Sequence, residues 1–123
     1  MLELGAGSGL PSLVAAWHRA ACVVITDYPD ENLISNISEN AKKNVPNNPS
    51  VHVLGYRWGD SPQTLFDVSG GHFDVLLLCD LVFNWSEHAS LLRSVDRCMS
   101  ADGTVWDVII ACVADVHTGL CII

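Results

Sequence analysis

At 123 residues the chain suits one domain with a real hydrophobic core. Half of its residues are apolar, yet no run approaches the roughly 18 uninterrupted apolar residues of a membrane span. A net charge of −8 and a pI near 4.7 argue against nucleic acid as a partner, because phosphate binding is driven by Lys and Arg.

In chain order, the first feature is Leu2-Glu3-Leu4-Gly5-Ala6-Gly7-Ser8-Gly9-Leu10-Pro11. It reads as the end of a buried strand, a glycine turn and the first turn of a helix. Such a turn lets backbone approach a ligand and presents N–H groups and a helix N-terminus to it. The spacing is not G-x-G-x-x-G, since Leu10 stands where the third glycine is required. A plain turn between packed elements is the alternative. Leu10, Leu13, Val14 and Trp17 fall at i, i+3, i+4, i+7 and predict the buried face of the following helix. Pro11 is tolerated in its first turn.

Residues 22–26 form a β-branched run that ends at Asp27. An apolar strand closing on an acid, about 20 residues after a glycine loop, is the arrangement that binds a ribose diol. The competing reading is that Asp27 caps the turn before Asp30. A second helix is expected over residues 30–44, with Leu33, Ile34, Ile37 and Ala41 buried, then a Pro/Asn loop over 44–49. Residues 51–54 read as a third strand, followed by Gly55-Tyr56-Arg57-Trp58-Gly59-Asp60. Trp58 is placed either to stack on an adenine or to cover the sheet edge. Residues 73–79 are the clearest central strand. A helix over 86–99, a turn at Asp102-Gly103 and an apolar stretch over 105–116 complete the pattern. Residues 104–110 suit a fifth strand, although Asp107 sits awkwardly if that strand is buried.

This alternation predicts an α/β fold, a Rossmann-like doubly wound, mostly parallel sheet with helices on both faces. Ligands then collect beyond the carboxyl ends of the strands, at residues 5–9, Asp27, 55–58 and 80–84. The five cysteines, Cys22, Cys79, Cys98, Cys112 and Cys121, form no C-x-x-C pair and read as reduced residues of an intracellular protein. No metal site, signal peptide or internal repeat is expected.

The Glu3-x-Gly5-x-Gly7-x-Gly9 spacing resembles the first motif of class I S-adenosylmethionine-dependent methyltransferases. Asp80-Leu81-Val82-Phe83-Asn84 resembles the motif that follows the fourth strand in seven-strand protein lysine methyltransferases. With Thr26-Asp27-Tyr28-Pro29-Asp30 and the string over 55–59, residues 2–103 look like the fungal elongation factor 1-alpha N-terminal and lysine methyltransferase family, once labelled nicotinamide N-methyltransferase.

The resemblance implies S-adenosyl-L-methionine as cofactor. It assigns Gly5, Ala6 and Gly7 to the methionine part, Asp27 to the ribose, Trp58 to the adenine, and Cys79 to a position beside the cofactor. Asp80 and Phe83 line the entry for the substrate amine. The implied substrate is the N-terminal glycine and neighbouring lysine of translation elongation factor 1-alpha, in the cytoplasm. Glu87 and His88 read as a helix-start carboxylate and a surface histidine rather than helpers. The family pattern also implies a single partial domain, truncated at both ends: a preceding helix and tryptophan, and the final hairpin strands, have no counterpart, and residues 104–123 diverge. A small-molecule amine methyltransferase would share every cofactor residue, and an inactive interaction module is the rival outside enzymology. A methyltransferase acting on a flipped base would carry two prolines where Leu81 and Val82 stand.

Overall fold

Short apolar runs of about the length of a strand lie side by side with every pairing parallel: β1 (Leu2–Leu4), β2 (Val23–Asp27), β3 (Val51–Gly55), β4 (Phe73–Cys79) and β5 (Met99–Val108). Between them run α1 (Leu10–Trp17), α2 (Glu31–Asn44), α3 (Gln63–Ser69) and α4 (His88–Cys98), with a 3₁₀ turn at Trp85–Glu87. The computed structural model describes residues 1–81 and 85–108. The strand order is β3-β2-β1-β4-β5. Leu2 therefore pairs with Val24 on one side and Leu76 on the other. This is the doubly wound arrangement expected from the alternation of strands and helices.

The period-2 alternation of a strand divides the core into two layers. Leu2, Leu4, Val24, Leu76 and Leu78 pack with Leu65 of α3 and with Leu91 and Cys98 of α4. Val23 and Ile25 point the other way, onto Leu13 and Ala16 of α1 and Ile37 and Ala41 of α2. Asp30 caps α2 by accepting from Asn32 N (3.0 Å) and Leu33 N (3.2 Å), and Lys42 and Lys43 oppose the dipole at its far end.

Three expectations need correction. The face α1 buries is Ser12, Leu13 and Ala16, turned about one residue, ~100°, from the predicted stripe. Leu10 (59% exposed), Val14 (38%) and Trp17 (57%) lie outside. Small Ser12 and Ala16 let the helix sit close to the sheet, which hydrophobicity alone does not reveal. Trp17 instead donates from Nε1 to the carbonyl of Asn44 at the end of α2, 2.9 Å away. In α2 the core takes Ile37 and Ala41, while Leu33 is exposed. Helix α3 went unread because its seven residues bury only Leu65 completely, too little for a stripe; Gly70, at φ +80°, ends it.

The turn at Asp102-Gly103 falls within β5, where pairing with β4 jumps from Phe73↔Met99 to Val75↔Thr104. Beyond this bulge the strand runs beside β4 to Cys79↔Val108, so the expected fifth strand forms as far as residue 108. Among the described residues it pairs only with β4, which eases the demand for burial along it. The remainder of the 105–116 stretch lies outside the described residues.

Leu76 is fully buried between the two central pairings. Leu76→Ala is expected to cost about 2–5 kcal/mol of stability, measured by denaturant unfolding. An exposed position on α1, Leu10→Ala, should change it by less than about 0.5 kcal/mol.

Candidate functional site

The sheet reverses its direction of winding between β1 and β4, and ligands of such sheets gather beyond the carboxyl ends at that point. The glycine loop begins there. Gly5, Gly7 and Gly9 all take positive φ, at +62°, +57° and +76°. A side chain at Gly5 would also collide: its Cβ would lie 2.6 Å from Leu81 Cδ2 and 3.2 Å from Trp58 Cζ2. The bare backbone at Gly5 thus lets Leu81 and Trp58 close over the end of β1.

Three N–H groups of this loop serve the protein itself. Ala6 N donates to Thr26 O (2.9 Å), Gly9 N to Ala6 O (2.8 Å), and Gly7 N to Asp27 Oδ2 (2.7 Å). The expectation that the turn presents its N–H groups to a ligand does not hold for these three. Their internal use disfavours a pyrophosphate cradle, which needs free backbone donors. Asp27 Oδ1 accepts from Tyr28 N (2.7 Å), so the carboxylate clamps the loop while it lines the cavity. The one carboxylate therefore both caps the turn and lines the cavity.

From β3 the chain turns inward through Tyr56, whose N–H reaches Asp27 O (2.8 Å), and carries Trp58 over the loop. From β4, Cys79 and Asp80 reach the same place. Asp80 has φ +57°, a left-handed conformation that aspartate tolerates better than most residues and that often marks functional sites. The result is a cavity of about 660 Å³, within the range of small-molecule sites. Gly5, Ala6, Gly7, Asp27, Trp58, Cys79 and Asp80 all line it. Phe83 lies outside the described residues.

Tyr28, Tyr56, Arg57, Leu81 and Glu87 also line the cavity. Glu87 stands at the N-cap of α4, where a helix-start carboxylate is expected, but its side chain makes no cap there and it lines the cavity. Its position directly after the 80–84 motif was the available signal. His88 lies against Trp85, ring centroids 5.3 Å apart. Asp27, Asp80 and Glu87 outnumber Arg57 among the lining side chains, which favours a ligand carrying positive charge over a phosphorylated one.

A family described as lysine methyltransferase matches residues 1–117. The chain belongs to the lysine methyltransferase family. It is 45% identical over 98 residues to a protein N-terminal and lysine N-methyltransferase of Schizosaccharomyces pombe, covering 76% of this chain and 38% of that protein. A namesake in Yarrowia lipolytica is 39% identical over 125 residues, covering 88% and 46%. The chain thus spans less than half the length of these curated relatives. Among solved structures, the glycopeptide N-methyltransferase MtfA in complex with S-adenosyl-L-homocysteine superposes with TM-score 0.67 at 12% identity, over 86% of this chain and 43% of that one. A ribosomal protein L11 methylase from Lactobacillus delbrueckii subsp. bulgaricus gives 0.63 at 22%, over 86% and 48%. The fold is that of S-adenosylmethionine-dependent methyltransferases.

Among the described residues, no cluster of His, Cys, Asp or Glu is suited to a metal ion, and no helix is long and apolar enough to cross a membrane. Among the described residues, no disulfide joins Cys22, Cys79 or Cys98. Burial pushes the Cys98 thiol up to about 11, so it stays protonated at neutral pH.

The motif's acid, Glu3, is completely buried beneath the loop on the α1 side of the sheet. Its Oε2 accepts from Ser12 N in the first turn of α1 (3.2 Å), a cap supplied by a strand in place of the side chain that Gly9 lacks. Burial raises the Glu3 carboxyl above its ordinary 4.5, Asp27 adds to the rise, and hydrogen bonds from Ser12 oppose it. A raised folded value means that Glu3 favours the folded state below pH 4.5 and loses that contribution as pH rises through the folded value. Glu3→Gln should therefore gain stability relative to the parent as pH increases across that window, read from melting temperatures at a series of pH values. A pH-independent difference would refute the assignment.

Proposed function

We propose that this chain carries the cofactor site of a protein N-methyltransferase that uses S-adenosyl-L-methionine and acts on the N-terminal glycine and adjacent lysine of translation elongation factor 1-alpha, in the cytoplasm. The carrying observation is the convergence of four strand ends, with the glycine loop, Asp27, Trp58 and Asp80, on one cavity. The family and the names of its curated relatives support the reaction class.

The residues present fit the cofactor. Bare backbone at Gly5 and Gly7, with only the methyl of Ala6 between them, suits the methionine end, and a Cβ at Gly7 would meet nothing within 4 Å. A carboxylate has about four lone-pair sites, so Asp27 retains one on each oxygen for a ribose hydroxyl after binding Gly7 and Tyr28. The half-buried Trp58 offers an indole face for the adenine. Cys79 lines the same cavity and would lie beside the cofactor, and the excess of carboxylates complements a sulfonium. When bound, the cofactor supplies a methyl group on that sulfonium.

The chain's own work is then to orient and deprotonate an amine. An α-amine with pKa near 8 is substantially neutral at physiological pH, whereas a lysine near 10.4 is about 99.9% charged. Asp80, fixed at the end of β4, is placed to accept from that amine, and Phe83 belongs to the same entry by family resemblance.

Titration calorimetry with S-adenosyl-L-homocysteine tests the cofactor assignment. Asp27→Ala should weaken binding at least about tenfold, ~1.4 kcal/mol, and unchanged affinity would overturn it. Asp80→Asn keeps the shape and removes the charge. It should leave that affinity within about twofold and lower methylation of a Gly-Lys-initiated peptide by about 10²-fold or more. Equal loss in both assays would remove Asp80 from the amine side.

A further inference from the structure

Ser94 lies on the buried face of α4 with Leu91 and Cys98, and it is fully buried. A leucine there would add apolar burial. A hydroxyl there is costly unless it is hydrogen-bonded. Its partners are not confined to its own helix. Ser94 Oγ accepts from Gly59 N at 2.8 Å and lies 3.1 Å from the Tyr56 hydroxyl and 3.1 Å from Ser90 O. The Tyr56 hydroxyl is also 3.1 Å from Asp60 O. Two proton arrangements satisfy these distances. Either Tyr56 donates to Ser94 and Ser94 to Ser90 O, or Ser94 donates to Tyr56 and Tyr56 to Asp60 O. The bond from Gly59 N is common to both. Burial raises the Tyr56 hydroxyl above its ordinary 10.0, which keeps its proton in place at neutral pH.

Arg97, one turn further along α4, adds a second tie by donating from Nη1 to Gly59 O at 3.1 Å. Both backbone atoms of Gly59 are therefore held by α4. Gly59 stands at φ +89°, immediately after Trp58, a conformation that side chains rarely adopt, with Ser90 packed alongside. Ser94 and Arg97 thus hold the loop through Tyr56 and Gly59, which flank Trp58 on both sides.

We propose that Ser94 is a positioning residue for cofactor binding, acting by fixing the 56–60 loop so that Trp58 closes on the glycine turn. This rests on the reading of Trp58 as the adenine contact. Among the described residues Ser94 does not itself line the cavity, whereas its partner Tyr56 does, so its influence on a ligand passes through that loop.

A double-mutant cycle on the full chain, read as affinity for S-adenosyl-L-homocysteine, tests it. Ser94→Ala should weaken binding by about three- to tenfold, the range for one lost buried hydrogen bond. In a Trp58→Ala background the same change should have no further effect. Arg97→Ala, at an exposed side chain, repeats the cycle with about a twofold weakening and carries the test if Ser94→Ala does not fold. Equal losses in both backgrounds would show a general structural role and overturn the proposal. If Trp58→Ala alone leaves affinity unchanged, the adenine reading fails, and the proposal falls with it for that separate reason.

Discussion

The carboxylate of Asp27 is the interaction on which the site depends. Its two oxygens hold Gly7 N and Tyr28 N, each at 2.7 Å, and so join the end of β2 to the loop at the end of β1. The adjoining backbone extends the tie, since Thr26 O holds Ala6 and Asp27 O holds Tyr56. Three strand ends are thereby fixed to one another over two residues of β2. Charge-assisted bonds of this length are among the stronger ones available to a protein. The glycines, which alone would be costly to order, are held in left-handed conformations by contacts that do not rely on a ligand.

That economy also decides what the cavity is suited to receive. The loop N–H groups at 6, 7 and 9 are committed internally, and three carboxylates face one guanidinium. A phosphate-rich ligand would find repulsion and few donors. A compact, partly cationic ligand with hydroxyls and an aromatic ring finds acceptors, bare backbone and an indole. The fold is shared by many enzymes, so it is these side chains and not the sheet that narrow the chemistry.

Much of this was legible in the sequence, for local reasons. The glycine spacing, the strand that ends at Asp27 and the apolar run over 73–79 each require a particular backbone, and all seven described site residues meet at one cavity. What escaped depends on distance in three dimensions. The orientation of α1 is set by small Ser12 and Ala16 against the sheet, so a hydrophobic count chose Leu10 and Trp17 instead. Helix α3 was too short to show a period. Ser94 looks ordinary in the sequence because its partner Gly59 lies across the fold, 35 residues away, and Glu87 because nothing local separates a helix-start acid from one that lines a cavity. For Asp27 the sequence leaves a cap and a ribose-binding acid as alternatives, and the geometry shows a cap that also lines the cavity.

The three-residue β1 has a kinetic consequence. Its Leu2 sits between Val24 and Leu76, so the central strand of the sheet is completed only by a segment more than 70 residues later. The loop between those segments must close before that pairing can form. Folding with such a high contact order is slow, and its intermediates expose unpaired strand edges. A ligand that bridges the ends of β1 and β4 would act mainly on the unfolding limb of the kinetics, because its cavity exists only after that last pairing has formed.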